Sequence, residues 1–403
     1  MNYTALAANP ARLLEEYRSG SSFFLSTPDH TLLAEGTFAE LPATEGASSL
    51  ERLIRPVADL LREAARSGHS APIVSGAIPF DCAKPAKLIV PATVRWGGPL
   101  RLNAESEARA RALSSSRPAY RIDPFPSPEA YAHGVQMGLD RLRTGELSKV
   151  VLARALDLVS DSDIPVHELL RSLAGRNSHG YTFAADLPAG QGSRPSSRRV
   201  LAGASPELLV RKRGSQAISN PLAGSAPRSK DSAEDRRIGE ALLASAKDLH
   251  EHAVVIDAVA RALRPFCKTI DVPDRPSLIQ TETMWHLSTV VQGELLDPAI
   301  SSLELASALH PTPAVCGTPT ELAREAIRQI EPFDREFYTG LVGWNDADGN
   351  GEWIVTIRCA EVYDRSLRLY AGAGIVNAST PEAELAETSA KFRTMLHALG
   401  LYP

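Results

Sequence analysis

LVGWNDADGNGEWIVTIRCAEVYDRSLRLYAGAGIV, residues 341–376, decides the fold class. Asp346, Asp348, Asn350 and two glycines separate two apolar runs, the signature of a tight turn between paired strands. LRLYAGAGIV adds another strand. Alternation along EWIVTIRCAEV puts Trp353, Val355, Ile357 and Cys359 on one face and Glu352, Ile354, Thr356 and Arg358 on the other. Ser379, Pro381 and Glu382 then open a helix as a capping box, with a periodic pattern running to Leu399. The chain is therefore mixed α and β.

Working outward, the same alternation of strands and helices recurs. FFLS and TLLAEG flank a turn at Pro28 and Asp29, SLERLIRPVADLLREAARSG reads as a helix, and APIVSGAIPF as a strand. The three prolines of RIDPFPSPEA mark residues 118–128 as a connector and candidate subdomain boundary, ending at Ser127 and Pro128, which cap a helix running to Gly145. Beyond it SKVVLARALDL is a strand, VHELLRSLAG a helix, and YTFAADL and RRVLAGA are strands around an exposed loop at 188–199. QAISNPLAGSA is a further strand. The helical pattern from Glu234 to Arg264 exceeds common globular length, so a break is expected near Ser245.

The chain has 403 residues, a length that divides into two or three average domains or fills one large enzyme domain. Hydrophobic residues at 43% and charged residues at 23% suit a globular core and exclude disorder, collagen-like structure and long coiled coil. A net charge of -5 leaves no diffuse basic field for nucleic acid or an anionic membrane. The N-terminal stretch carries Glu15 and Glu16 where a signal peptide needs an apolar run, and no run is long enough to span a bilayer, so a cytoplasmic location is expected. Cys82, Cys267, Cys316 and Cys359 are scattered without zinc or disulfide spacing, consistent with a reducing compartment.

Several motif-like strings lack their mechanical context. Asp346, Asp348, Asn350 and Gly351 imitate half a calcium loop, but its twelfth position is Ile357 and strands flank it. His250 and His252 are two apart and point away from each other on a helix, unlike the pair of a zinc helix. Gly372 and Gly374 lack the third glycine of a dinucleotide loop, and Ser205 lacks the second glycine of a nucleophile elbow.

One constellation remains. Asp248 and Glu251 stand three apart on one expected helix, and Glu384 and Glu387 three apart on another, so each helix shows two carboxylates on one face. The apolar stripe of Leu385, Phe392, Met395 and Leu396 runs beside Glu384, Glu387 and Lys391, placing these acids at the edge of the core. Such a donor set suits a hard divalent cation such as magnesium; by spacing alone it equally describes a solvated acidic face. Arg358 is either an anion-binding fork beside the glycine-rich AGAGIV strand or a sheet-surface arginine. Lys149 and Glu207 suit a base and an acid, or are strand-end charges.

Ten strings in order, KVVLAR, GASPELL, PLAGSA, KDLHEH, MWHLST, LHPTPAVCG, EPFDREFYTGLVGW, GNGEWIVTIRCA, AGAGIV and ETSAK, resemble the chorismate-utilising enzymes over nearly the whole chain. GAIPFD, LHPTPA and EPFDRE are most similar to the isochorismate synthases of catecholate siderophore pathways. The resemblance implies an α/β fold of α+β type: one large domain, residues 1–403, with extensive antiparallel sheets packed by helices. Its N-terminal lobe would cover about 1–125 and its catalytic region about 126–403.

Carried over by residue, the resemblance makes Lys149 the general base that activates water and Glu207 the acid that protonates the departing ring hydroxyl. Glu251 and Glu387 become direct magnesium ligands, with Asp248 and Glu384 supporting them. Gly224 would offer its N–H to the ring carboxylate. Tyr338, Arg358 and Lys391, with the Gly372 and Gly374 backbone, would hold the enolpyruvyl end, while His286 contacts the ring or is a core histidine. The implied partner is chorismate alone, acted on by a monomer without an amidotransferase subunit.

Two departures bear on product choice. Tyr338 looks more like the salicylate synthases, and Ala246 stands where close relatives carry an acid. Ala314 points back to isochorismate, because salicylate synthases tend to carry threonine nearby. The expected reaction is isochorismate formation; the rivals are salicylate plus pyruvate, or a silent chorismate-binding homologue.

Overall fold

The computed structural model describes residues 8–42, 49–101, 119–177, 180–188 and 198–401. Among the described residues, three antiparallel sheets, of ten, nine and three strands, carry the architecture. The ten-stranded sheet runs Gly317–Thr318, Lys149–Ser160, Ser366–Ile375, Cys359–Val362, Val200–Ser205, Tyr181–Asp186, Ser22–Ser26, Thr31–Glu35 and Thr93–Gly97, with Tyr120–Phe125 also on Lys149–Ser160. The nine-stranded sheet runs Cys267–Asp271, Val291–Leu295, Gln216–Asn220, Leu208–Arg213, Gly351–Val355, Leu341–Asp346, Ile73–Ile78, Lys87–Val90 and Ala39–Glu40. Strands from before residue 98 thus complete both large sheets.

These two sheets face each other. Phe23, Leu25 and Leu201 of the larger sheet meet Ile73, Val342, Trp344 and Ile354 of the smaller in one buried cluster. Helices cover the outer faces, with Leu169, Leu170 and Phe392 on one side and Val57, Leu61, Val255 and Leu303 on the other. Strands buried on both faces need apolar side chains at nearly every position, which explains runs such as KVVLARAL. Four layers result: helix, sheet, sheet, helix.

The stretch at 341–376 forms the expected hairpin, with Leu341 opposite Val355 and Asn345 opposite Gly351. Its turn is held by Asp346 Oδ1, which accepts from Asp348 N at 2.9 Å and Asn350 N at 2.8 Å. EWIVTIRCAEV is not one strand, however. Gly351–Val355 belongs to the nine-stranded sheet and Cys359–Val362 to the ten-stranded one, and the chain crosses between them at Thr356–Arg358. Arg358 turns this corner at φ 51°, a left-handed conformation that costs a side-chain-bearing residue energy. The guanidinium ends up buried beside His286 rather than on a sheet face.

Other expectations change similarly. The proline-rich connector is a strand, Tyr120–Phe125, paired with Lys149–Ser160 from Tyr120 opposite Ser160 to Phe125 opposite Ala155. An edge strand tolerates Pro124 because one side needs no N–H donor. QAISNPLAGSA splits at Pro221 into Gln216–Asn220 and Leu222–Pro227, which lie in different sheets. The terminal helix Pro381–Ala398 is capped by Thr380, whose side chain accepts from Ala383 N, while Ser379 Oγ accepts from Val376 N.

Ser245 separates the helices Ser232–Ala244 and Ala246–Leu263 and caps the second by accepting from Asp248 N, as the break required. Most of the loop at 188–199 lies outside the described residues. All four cysteines are buried and free.

Candidate active site

The crossing at Arg358, the start of the strand Lys149–Ser160 and the end of Ser366–Ile375 converge on one cavity, with the helices Ala246–Leu263 and Pro381–Ala398 beside it. Glu207, Gly224, Glu251, His286, Ala314, Tyr338, Arg358, Gly372, Gly374, Glu387 and Lys391 all line it. Lys149 stands immediately behind the wall, fully buried, with Nζ 2.8 Å from Glu251 Oε1. Asp248 and Glu384 lie one layer back on the same two helices.

Glycine at 374 is explained by this pair: a Cβ there would sit 2.2 Å from Glu251 Oε1 and 2.8 Å from Lys149 Cε. At Gly372 it would lie 2.8 Å from the Tyr338 hydroxyl. The Tyr338 ring stacks on Tyr370 at 5.0 Å between centroids, which fixes where that hydroxyl points.

Glu207 follows the extended Ser205-Pro206 pair and is 2% exposed. Burial pushes its carboxyl up to about 7, against the pull of Lys149, a hydrogen bond from Leu222 N–H, and the charges of Arg358 and Lys391. A proton donor working near neutrality is the consequence.

Arg358 Nη2 lies 3.3 Å from His286 Nε2. A guanidinium has no acceptor, so Nε2 carries the imidazole lone pair and Nδ1 the proton. Burial, Arg358 and Lys391 together hold His286 neutral. Lys391 Nζ donates to Gly372 O at 2.9 Å and pairs with Glu387 Oε1 at 2.6 Å. This wall is cationic.

The acids beside Lys391 on the same helix are compensated. Burial raises the Glu387 carboxyl, yet Lys391 and Lys247 outweigh it and hold the group below the usual range, with Ser225 Oγ donating at 3.1 Å. Glu384 Oε1 accepts from Lys247 Nζ at 2.9 Å, while its Oε2 is buried without a hydrogen-bond partner. Burial and the charge of Glu387 push Glu384 upward. Asp248, bonded to the Ser245 hydroxyl, is likewise raised by burial.

Asp248 and Glu387 are half-buried, as a core-edge position implies, while Glu251 and Glu384 lie deeper, and among the described residues no group of three His, Cys, Asp or Glu is gathered around a common point. His252 is a satisfied core histidine, its ring nitrogens 3.1 Å from Ala223 O and 2.8 Å from Thr289 Oγ1.

Residues 100–400 match the model of the chorismate binding enzyme family. The chain belongs to the chorismate-binding enzymes. Within this family it is 59% identical to isochorismate synthase DhbC of Bacillus subtilis (strain 168), over 96% of each chain. It is 43% identical to the vibriobactin-specific isochorismate synthase of Vibrio cholerae, covering 100% of this chain and 96% of that one. A crystal structure of a putative 2,3-dihydroxybenzoate-specific isochorismate synthase, DhbC from Bacillus anthracis, superposes with a TM-score of 0.91 at 53% identity, covering 98% of this chain and 100% of that one.

Some residues of this cavity had no signal in the sequence strong enough to single them out. Ser225 was within reach, being adjacent to Gly224 in PLAGSA. Lys247 was signalled only by charge balance, since four neighbouring acids need cations nearby. Thr339 and Val151 also line the wall and carry no chemical signal of their own.

Proposed function

We propose that this chain is an isochorismate synthase that exchanges the ring 4-hydroxyl of chorismate for a hydroxyl derived from water, which adds at the far end of the diene as both double bonds shift and the C4–O bond breaks. Water enters and water leaves, so no redox cofactor is needed. The observation that carries the reading is Glu207: a buried carboxyl, protonatable at about 7, on the wall of a cavity that also presents Arg358 and Lys391 to an anion.

Glu207 gives its proton to the departing hydroxyl. Lys149 takes one from the attacking water as a neutral amine, the form it reaches only after its Nζ has released a proton and left Glu251 Oε1, 2.8 Å away. Arg358 and Lys391 hold the enolpyruvyl carboxylate, with Tyr338 and the Gly372 and Gly374 backbone shaping that end, Gly224 N–H meeting the ring carboxylate, and His286 and Ala314 bounding the ring.

Magnesium fits the donor set. Glu251 and Glu387 would hold it, supported by Asp248 and Glu384, whose buried Oε2 lacks a partner. When bound, the ion supplies positive charge that offsets the acids and holds the ring carboxylate. Lys149, Lys247 and Lys391 pair with Glu251, Glu384 and Glu387 in turn.

The likeness to siderophore-linked synthases supports a role upstream of 2,3-dihydroxybenzoate, as one unit acting as a monomer without an amidotransferase subunit. No helix among the described residues is long and apolar enough to cross a membrane, in keeping with work in the cytoplasm. Incubation of the purified protein with chorismate and magnesium, with products identified by mass, tests the reading. Isochorismate is expected; stoichiometric salicylate and pyruvate, the outcome Tyr338 favours, overturns it, as does an absence of turnover.

A further inference from the structure

The strand Lys149–Ser160 has an interrupted edge. On the side away from Ser366–Ile375 it pairs with Gly317–Thr318 at Lys149 and Val150, and with Tyr120–Phe125 from Ala155 onward. Between them no strand serves Val151 to Arg154. Cys316 O accepts from Val151 N at 2.8 Å, the Tyr131 hydroxyl donates to Leu152 O at 3.1 Å, and two further side chains reach the same stretch. Glu331 Oε1 accepts from Ala153 N at 2.7 Å, and Arg335 Nη2 donates to Val151 O at 2.7 Å. The two residues also pair with each other, through Nε to Oε2 at 2.9 Å and Nη2 to Oε1 at 2.6 Å.

Arg335 reaches further. Its Nη1 donates to Val315 O at 2.7 Å and to Thr339 Oγ1 at 3.3 Å, and Thr339 in turn donates to Tyr338 O. Val151, Val315 and Thr339 each line the cavity, whereas Glu331 and Arg335 do not. Both side chains are only 2% exposed. A buried fork of this kind is a weak source of stability relative to apolar packing, because desolvating two charges offsets their attraction. Its distinctive property is geometric: one planar guanidinium fixes the spacing of three wall segments.

We infer that the Glu331–Arg335 pair is a positioning device for the reaction, holding the Lys149 strand, the Ala314–Val315 loop and the Tyr338–Thr339 turn in register from outside the cavity. Arg335 is a positioning residue, acting on the substrate only through these segments. Thr339 is held at φ 59°, a strained conformation that needs such an anchor. The inference rests on the isochorismate reading above.

Arg335→Lys keeps the charge and loses the fork; Glu331→Gln keeps the shape and loses the charge. Each is compared with the parental enzyme for folded fraction by near-UV circular dichroism, and for kcat, KM and the ratio of pyruvate to isochorismate per folded enzyme. Arg335→Lys is expected to lower kcat on the order of ten- to a hundredfold with KM within about threefold, since ångström-scale misplacement of reacting groups has effects of that size. Its pyruvate ratio should rise severalfold as the ring and side chain lose their fixed pose. Glu331→Gln should move both quantities the same way by less, and it decides alone if Arg335→Lys does not fold.

Folded variants with parental kcat and product ratio overturn the inference. So does a loss of activity wholly matched by loss of folded protein in both. A parental enzyme that forms no isochorismate overturns the proposed function instead.

Discussion

Glu207 and Glu387 face one cavity, both largely shielded from water, and their carboxyls are driven in opposite directions. Burial dominates at Glu207, where Lys149, Arg358 and Lys391 act on the carboxyl without pairing with it, and the group is pushed up to about 7. At Glu387 Lys391 sits 2.6 Å away, and with Lys247 it overrides burial so that the carboxylate stays ionised. Equal residue types thus receive unequal roles from their neighbours: one carboxyl keeps a proton to donate, the other keeps a charge to bind a cation or a lysine.

The largest test of that division removes the cation. If Glu251 and Glu387 hold magnesium against an anionic substrate, exhaustive EDTA treatment should abolish chorismate turnover and added magnesium should restore it. Activity that survives chelation would mean that the lysines alone compensate the acids. Next in size, Lys149→Ala and Glu207→Gln should each lower kcat by on the order of a hundredfold or more, with the fold intact. In the parental enzyme turnover should fall as pH rises through about 7, where Glu207 loses its proton. A near-parental rate in either variant would return that residue to a structural role.

The hairpin at 341–355 was legible in the sequence because alternation and turn chemistry are local, and the acid pairs were legible because three-residue spacing on a helix is local too. The crossing at Arg358 was not. A non-glycine residue in a left-handed corner has no compositional signature, so a run that alternates correctly through Val355 continued on paper into a strand that the chain leaves. The proline-rich segment at 120–125 misled for the converse reason: proline argues against a central strand, and only the three-dimensional edge position shows why it is tolerated. The Glu387–Lys391 pair follows the four-residue spacing of one helix, but the pairing of Glu251 with Lys149 and of Glu384 with Lys247 depends on packing between distant elements, and no spacing rule reaches it.

The contrast between the two glutamates also predicts a smaller, thermodynamic difference. The folded chain holds the Glu207 proton up to about 7, whereas the unfolded chain releases it in the ordinary carboxyl range. The folded state therefore binds more protons between those limits, and stability declines as pH rises across that window. Glu207→Gln should remove the decline, leaving the variant more stable than the parent by on the order of 3 kcal/mol at pH 8 and close to it at pH 4. Denaturant titrations at the two pH values check this, and an equal difference at both would show that the carboxyl titrates normally.

The smallest effect belongs to Tyr338, on the cationic side of the cavity. Burial raises its phenol above the ordinary value, so the hydroxyl remains a neutral donor beside Gly372. Pyruvate elimination requires the enolpyruvyl methylene to fold over the ring and reach a ring hydrogen, and a hydroxyl contact can bias that pose. One neutral hydrogen bond is worth about 1 kcal/mol, which shifts a rate only severalfold. Tyr338→Phe preserves the ring stacked on Tyr370 at 5.0 Å and removes only the donor. The variant should form isochorismate within a few-fold of the parental rate and release still less pyruvate, read by a coupled lactate dehydrogenase assay. A loss of isochorismate formation comparable to that of Glu207→Gln would instead place the tyrosine hydroxyl among the groups that move protons.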